Sequence, residues 1–161
     1  MITAEELREQ LNYDPETGVF TWRVANSSTV QIGDVAGSYE GRGYRRVYIQ
    51  NREYKAHRLA WLHVHGTWPR AHIDHINGVR DDNRITNLRE ATYSENSRNR
   101  KRRCDTRVAA KGVDLRHGRF RAQIKAQGKN IHLGYYDTEE EAHAAYVAAA
   151  EKEFGAFARA E

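Results

Sequence analysis

His72-Ile73-Asp74-His75-Ile76-Asn77-Gly78 is the stretch that decides the fold expected for the first part of this chain. Its alternating apolar and polar residues predict a β-strand, and its Asn-Gly end predicts a turn. After a polar loop comes a second expected strand, which carries Asn87. Thr92 with Glu95 three residues later then predicts the start of a helix. The expected unit is strand, loop, strand and helix, with Asn96 in the first turns of the helix.

Four polar side chains of this unit can converge on one cleft: Asp74, His75, Asn87 and Asn96. Oxygens of Asp74 and Asn96 are hard donors suited to Mg²⁺ or Mn²⁺, and His75 can take a proton from water near neutral pH. Phosphodiester hydrolysis needs such charge neutralisation and an activated water. Because neighbouring strand residues point to opposite faces, Asp74 and His75 share a site only if the strand bends or ends there. A capped turn with a structural histidine is the alternative interpretation.

Four sequence blocks in this order resemble the phage-type HNH endonucleases, which include homing endonucleases: H-R-L-A-W at 57–61, I-D-H-I-N-G at 73–78, D-N-R-I-T-N-L-R at 82–89 and S-E-N at 94–96. The resemblance implies a ββα-metal (His-Me finger) site. On that template His75 is the general base, and Asp74 and Asn96 hold one divalent metal ion, Mg²⁺ or Mn²⁺. Asn87 would brace the histidine-bearing loop by hydrogen bonds. The implied reaction is hydrolysis of DNA to 5′-phosphate and 3′-hydroxyl ends.

Positive charge is concentrated in one stretch of the chain. Between Ser97 and Lys125 there are eleven Lys and Arg residues against two Asp, a local charge of +9 in a chain whose total is +4. Such a stripe favours a phosphate backbone, so we expect double-stranded DNA as the partner. A solvated linker is the alternative. The expected contacts in and before the stripe are Arg84, Arg89, Arg98, Arg100, Arg102 and Arg103.

A second module is predicted from Lys111 onward. Residues 119–125 and 131–136 alternate as strands around a turn at 127–130, and Thr138 with Glu141 predicts a capped helix. The motifs K-G-V at 111–113, R-A-Q-I-K at 121–125 and L-G-Y-Y-D-T at 133–138 resemble the AP2/ERF DNA-binding domain. Phe120 and His132 depart from that family's usual tryptophans, so base preferences do not transfer. The resemblance implies these DNA contacts: Arg116, Arg119, Arg121, Gln123, Lys125 and Lys129.

The fold class expected from these patterns is α+β, with two modules. Residues 1–100 form the nuclease domain with a β-rich N-terminal region, 101–110 a basic linker, and 111–158 the AP2-like domain. In the N-terminal region we expect a helix at 3–11, a strand at 19–22, a loop at 26–40 and a hairpin turning near 50–51, followed by a helix at 56–65.

Five histidines fall within 19 residues, at 57, 63, 65, 72 and 75, but their spacing favours packing of His57 on Trp61 over a zinc site. The single cysteine, Cys104, excludes an intramolecular disulfide. With no long apolar run and no signal-like start, we expect a cytoplasmic protein, in the host cell if phage-encoded, that does not contact membranes and is a monomer or weak homodimer. Two other functions stay open: a non-catalytic AP2-type DNA-binding regulator, and an HNH nuclease for phage DNA packaging or repair.

Overall fold

The computed structural model describes residues 1–25, 29–99, 108 and 110–158, and divides the chain into two compact units, Met1–Thr92 and Tyr93–Glu161. The elements of the first unit are α1 (Ala4–Gln10), β1 (Leu11–Tyr13), β2 (Phe20–Trp22), β3 (Ser38–Tyr39), β4 (Arg45–Ile49), β5 (Arg52–Lys55), α2 (Ala56–His65), β6 (His72–His75) and β7 (Leu88–Ala91). Those of the second unit are α3 (Tyr93–Arg98), β8 (Val113–Arg116), β9 (Arg119–Ala126), β10 (Lys129–Tyr136) and α4 (Glu139–Phe154). The predicted α+β class is confirmed, with small antiparallel sheets throughout the described residues.

Local sequence signals fix the start of the first unit. The Thr3 side chain accepts a hydrogen bond from the backbone N–H of Glu6, and the Glu6 carboxylate accepts one from the backbone N–H of Thr3, so the predicted capping box is present. The β4–β5 hairpin turns at Gln50 and Asn51, whose φ angles are 50° and 60°. Positive φ at both central residues suits the twist of a two-residue hairpin, and this prediction is confirmed too.

One expectation for this region was wrong. Residues 26–40 were predicted to be a loop, but β3 pairs with β4 in the order β3-β4-β5, with Ser38 opposite Arg46. A two-residue strand carries no alternation of its own. It forms because the backbone groups of the neighbouring strand β4 are there to pair with.

The core of the first unit lies between the two helices and the small sheets. Leu7 of α1, Phe20 of β2, Ile49 of β4 and Leu59 of α2 are fully buried. Burial of each such side chain contributes about 1.5 to 3 kcal/mol relative to exposure. Ile73 and Leu88 extend the same core into the β6–β7 hairpin. The hairpin that carries the predicted site is therefore packed against the core of the first unit.

The β6–β7 hairpin has a fixed antiparallel register. Asp74 lies opposite Arg89, and His75 lies opposite Leu88. Asn87, expected within the second strand, instead lies in a 3₁₀ turn at Ile85–Asn87 directly before β7. The prediction failed because the apolar spacing of this segment is shared by a strand and by a short turn.

The second unit contains a three-stranded sheet in the order β10-β9-β8, with α4 packed on one face through Ala142, Tyr146 and Ala150. Thr138 caps α4 by accepting from the backbone N–H of Glu141. The predicted sheet-plus-helix arrangement is confirmed. Gly112 is needed here because a Cβ at this residue would lie 1.9 Å from a ring carbon of Tyr146. None of the described helices is both long and apolar enough to cross a bilayer.

Candidate active site and nucleic-acid interface

His75 is the last residue of β6 and is only 4% exposed. The strand ends in a turn in which Gly78 N–H donates to the His75 carbonyl at 2.8 Å. Strand β6 therefore ends at Asp74 and His75, as it must if these adjacent side chains are to share a site. The His75 ring nitrogen Nε2 lies 3.2 Å from Oδ1 of Asn83, across the loop that joins the two strands.

Two aromatic rings pack against the His75 imidazole. The His57 ring meets it edge-to-face at a centroid distance of 5.1 Å, and the Tyr44 ring lies at 6.0 Å. Burial lowers the pKa of His75, and the hydrogen bond to Asn83 opposes this only in part. A neutral imidazole is thus favoured near neutral pH, which is the form that can accept a proton.

His57 was expected to pack on Trp61, but among the described residues its ring contacts are Tyr44 and His75, while Trp61 contacts His65. Burial, and to a lesser degree the charge of His75, lowers the pKa of His57 to about 3. The described residues offer no hydrogen-bond partner to its Nδ1. The described residues contain no group of three or more His, Cys, Asp or Glu side chains that could hold a metal ion.

Asn83 was missed as a site residue by the sequence analysis. Its side chain is 1% exposed, and its Nδ2 donates to the Asp81 carbonyl at 3.1 Å. Asn83 lies in the D-N-R-I-T-N-L-R block at 82–89, but no role was given to it, because asparagine in a polar loop is commonly exposed. Its contact with His75 joins residues eight positions apart, which no local periodicity reveals.

Asn87 contacts the backbone of the loop that follows His75. Its Oδ1 accepts from the Asn77 N–H at 3.0 Å, its Nδ2 donates to the Asp82 carbonyl at 2.8 Å, and its carbonyl accepts from the Ile76 N–H at 2.9 Å. These hydrogen bonds connect Ile76, Asn77 and Asp82 of the loop to the side chain and the backbone of Asn87. The geometry is what a bracing role requires.

Asp74 faces Arg89 across the hairpin. The Asp74 carboxylate is 4% exposed, and its Oδ2 lies 2.9 Å from Arg89 Nε and 2.8 Å from Nη2. Arg89 was predicted to contact DNA, but here its half-buried guanidinium balances the charge of the predicted metal ligand. A buried carboxylate oxygen is a hard donor, and it demands a cation near it. The chemistry of Asp74 therefore fits a Mg²⁺ or Mn²⁺ ligand.

Asn96, the other predicted metal ligand, is half-buried on α3 and belongs to the second unit. Its approach to Asp74 therefore stays a prediction. Arg84, a predicted DNA contact, is bound by both oxygens of Asp82, at 2.7 and 2.6 Å. This ion pair, together with the Asn77 amide, lowers the pKa of Asp82 to about 2. Arg84 still keeps 46% of its side chain exposed.

The predicted basic linker lies mostly outside the described residues. This applies to Arg100, Arg102 and Arg103, and to the side chain of Arg98. Their predicted contacts with DNA stay predictions.

The face of the β8–β10 sheet that is turned away from α4 carries most of the predicted C-terminal contacts. In β9 the buried residues Ala122 and Ile124 alternate with Arg121, Gln123 and an exposed Lys125. Arg116 and Arg119 are also exposed. The structure thus brings five predicted contacts to one surface, which we call the outer sheet face: Arg116, Arg119, Arg121, Gln123 and Lys125.

Acidic residues hold several of these side chains. Asp114 binds Arg121 through both carboxylate oxygens, at 2.9 and 2.5 Å, and accepts from Gln123 at 3.4 Å. The sequence analysis did not single out Asp114. Lys129 departs from the group, because it pairs with the buried Ala126 and so has the register of the opposite face, at the hairpin end.

The β6–β7 hairpin and the elements around it match a known protein family. The family described as HNH endonuclease matches residues 54–98, from β5 through α3. Residues 54–98 thus contain an HNH endonuclease domain, and the chain is an enzyme that hydrolyses phosphodiester bonds. The predicted HNH nuclease and enzyme class are confirmed. The match does not extend to residues 111–158, and a comparison with curated proteins found no match.

Proposed function

We propose that this protein is a metal-dependent DNA endonuclease in which His75 acts as the general base. The observation that carries the proposal is the state of His75: a buried imidazole at the end of β6, held by Asn83 and packed by His57, next to the Asp74 carboxylate. Because burial lowers the pKa of His75, the ring is neutral at the pH of the cytoplasm and can accept a proton from an attacking water.

Asp74 and Asn96 are the residues that would hold the divalent ion, through one carboxylate and one amide oxygen. When bound, Mg²⁺ or Mn²⁺ supplies charge stabilisation at the phosphoryl and leaving oxygens. Asn87 keeps the loop after His75 in place through the hydrogen bonds to Asn77 and Asp82. Arg89 balances Asp74 when the ion is absent.

We propose further that the second unit is an AP2-like reader of double-stranded DNA, and that the whole is a homing-type enzyme that cuts at a long recognised site. The support is the outer sheet face, which carries polar and basic side chains. The other face of the same sheet is buried by α4. One site of this kind cuts one strand, so a monomer nicks, and double-strand cleavage needs a dimer or a second event.

Cleavage is tested by incubating the full chain with supercoiled plasmid and either Mg²⁺ or Mn²⁺. We expect nicked or linear products with the wild type, none after chelation of the metal, and none with His75→Ala. His65→Ala, which removes an exposed histidine of the same unit, is the matched control and should cleave normally. Cleavage by His75→Ala at the wild-type rate would refute the role of His75.

DNA binding by the outer sheet face is tested separately with Arg116→Ala/Lys125→Ala and plasmid-derived duplexes. Each lost phosphate contact should reduce the slope of log affinity against log salt by about 0.9. Lys152→Ala, which removes an exposed charge from the opposite side of this unit on α4, should leave the slope unchanged. Equal effects of both variants would argue against a DNA-reading sheet.

A further inference from the structure

We propose that Arg80, held on the Tyr44 ring by the turn between β3 and β4, binds a phosphate of the DNA strand close to the one that is cut. This inference rests on the proposed function, with His75 as the general base. It adds a residue that positions the strand at the active site, and a segment, residues 39–45, that holds this residue in place. Residues 39–45 lie outside the residues 54–98 that match the nuclease family.

Arg80 is held in place although it is exposed on the loop that follows β6. Its Nη1 donates to the Arg42 carbonyl at 2.7 Å, and its guanidinium carbon lies 5.1 Å from the centre of the Tyr44 ring. The next residue, Asp81, is bound by the same segment, because it accepts from the Tyr39 hydroxyl at 2.6 Å and from Nε of Arg45 at 3.3 Å. A side chain that is already ordered loses less freedom when a ligand binds.

No acidic side chain among the described residues forms an ion pair with Arg80. The arginines near it are paired, Arg84 with Asp82 and Arg45 with Asp81. Arg80 instead contacts a backbone carbonyl and an aromatic ring, and neither of them carries a full negative charge. The planar guanidinium fork matches the oxygens of a phosphate. An exposed, ordered and uncompensated guanidinium is therefore suited to bind a phosphate of the substrate.

Tyr44 brings this cation next to the proposed general base. The same ring that packs on the Arg80 guanidinium lies 6.0 Å from the His75 ring and 5.4 Å from the His57 ring, measured between ring centres. Arg80 and His75 are therefore neighbours across one aromatic ring, and His75 lies within range of the charge of Arg80. Phosphates repeat along a DNA strand, so a strand that is cut at His75 has another phosphate close by. We assign that phosphate to Arg80.

The phosphate contact is tested by binding of the full chain to plasmid-derived duplexes with a chelator present, so that DNA is bound without being cut. Fluorescence anisotropy at several salt concentrations gives the slope of log affinity against log salt. Arg80→Met should lower this slope by about 0.9, because one phosphate contact is lost, and Arg80→Lys should keep it, because the charge stays. Arg52→Met is the matched control. It removes an exposed arginine of the same unit, from the β4–β5 hairpin, and should leave the slope unchanged.

Cleavage kinetics give the second readout. A contact with a phosphate that does not react is the same before and during the reaction, so its loss changes KM and not kcat. For Arg80→Met we expect KM to rise about 10- to 100-fold with kcat nearly unchanged, as for the loss of one hydrogen bond to a charged group. Tyr44→Leu, which removes the ring that packs on the guanidinium, should also raise KM. Tyr44→Phe keeps the ring and should cleave like the wild type.

An unchanged salt slope in folded Arg80→Met, or an equal loss of slope in Arg52→Met, would overturn the inference. If Arg80 only stabilised the loop, Arg80→Met would lower the free energy of unfolding in urea and leave the slope as in the wild type. Arg80→Gln, which removes the charge but keeps a hydrogen-bond donor, gives the same test if Arg80→Met does not fold. Wild-type KM in Tyr44→Leu would overturn the role of Tyr44. Failure of the proposed function is a separate result: His75→Ala would then cleave like the wild type, whatever the salt slope of Arg80→Met.

Discussion

Replacing Arg89 by methionine is expected to destabilise the metal-free first unit strongly. The Asp74 carboxylate is 4% exposed and the Arg89 side chain 17%, so the pair is shielded from water. Methionine retains the apolar stem but leaves the buried carboxylate without the guanidinium that faces it. Removing one partner of such a pair costs about 3 to 5 kcal/mol. This is a large share of the total free energy of unfolding of a domain, which is about 5 to 15 kcal/mol.

The assay is urea denaturation followed by tryptophan fluorescence, with a chelator present. All three tryptophans, Trp22, Trp61 and Trp68, lie in the first unit, so the signal reports the unit that contains the ion pair. Asp74→Asn combined with Arg89→Met completes a double-mutant cycle and should restore most of the loss, since no buried charge is then left uncompensated. Mn²⁺ should also stabilise Arg89→Met, by about 2.7 kcal/mol at a hundredfold excess over its Kd.

Arg84→Met is the matched control. The Arg84–Asp82 ion pair is as short as the Arg89 pair, but Arg84 is 46% exposed, and an exposed pair contributes about 0 to 1 kcal/mol. Comparable losses for Arg84→Met and Arg89→Met, or a loss below about 1 kcal/mol for Arg89→Met, would refute the argument from burial.

Three further predictions concern other parts of the chain. Because burial lowers the pKa of His57 to about 3 from its usual 6.5, the unfolded chain binds a proton in that range that the folded chain does not. The contribution of His57 to stability is therefore fully present above about pH 6.5. It is lost as the pH falls toward 3, by up to about 1.4 kcal/mol per pH unit. In urea denaturation at several pH values, His57→Phe should make the free energy of unfolding depend less on pH in this range. Gly112→Ala and Gly118→Ala form a matched pair, because both glycines have a φ of 78° but only Gly112 meets the Tyr146 ring. Gly118→Ala should cost about 1 kcal/mol in thermal denaturation and Gly112→Ala clearly more; equal costs would contradict the close contact. Finally, Asp114→Asn should tighten binding to random-sequence duplex DNA and steepen its salt dependence by about 0.9, because Arg121 is released toward phosphate; anisotropy titrations at several salt concentrations measure both.

Features encoded within a few residues were predictable from the sequence. Thr3 with Glu6 forms a capping box, Gln50-Asn51 turns a hairpin, and Thr138 caps α4. In each case the residues that carry the signal also make the hydrogen bond or adopt the backbone angle. Asp74 and His75, which we propose as metal ligand and general base, were singled out in the same way, because their motif is contiguous.

Contacts set by loop geometry or by strand register were not predictable. The ion pair of Arg89 with Asp74 was not predicted, because nothing in the neighbours of Arg89 reveals that the register places it opposite Asp74; the contact of Arg89 with DNA stays a prediction. Asn83 was passed over because burial of a loop asparagine depends on Tyr13 and Gly18, which are more than sixty residues away in the sequence. Asn87 was assigned to a strand because its turn has the same apolar spacing as the strand that follows it.

The β6–β7 hairpin separates the two demands that hydrolysis makes on neighbouring residues. In the proposed function Asp74 stays charged to hold a cation, and the Arg89 guanidinium faces it across the hairpin. His75 must stay neutral to accept a proton, and it is surrounded by an amide and two aromatic rings, none of which adds a full negative charge. The Asp74 carboxylate raises the pKa of the imidazole, but burial of the ring has the larger effect and keeps the pKa of His75 below its usual value. Alternation along β6 gives the two adjacent residues different neighbours, because Asp74 lies opposite Arg89 and His75 lies opposite Leu88.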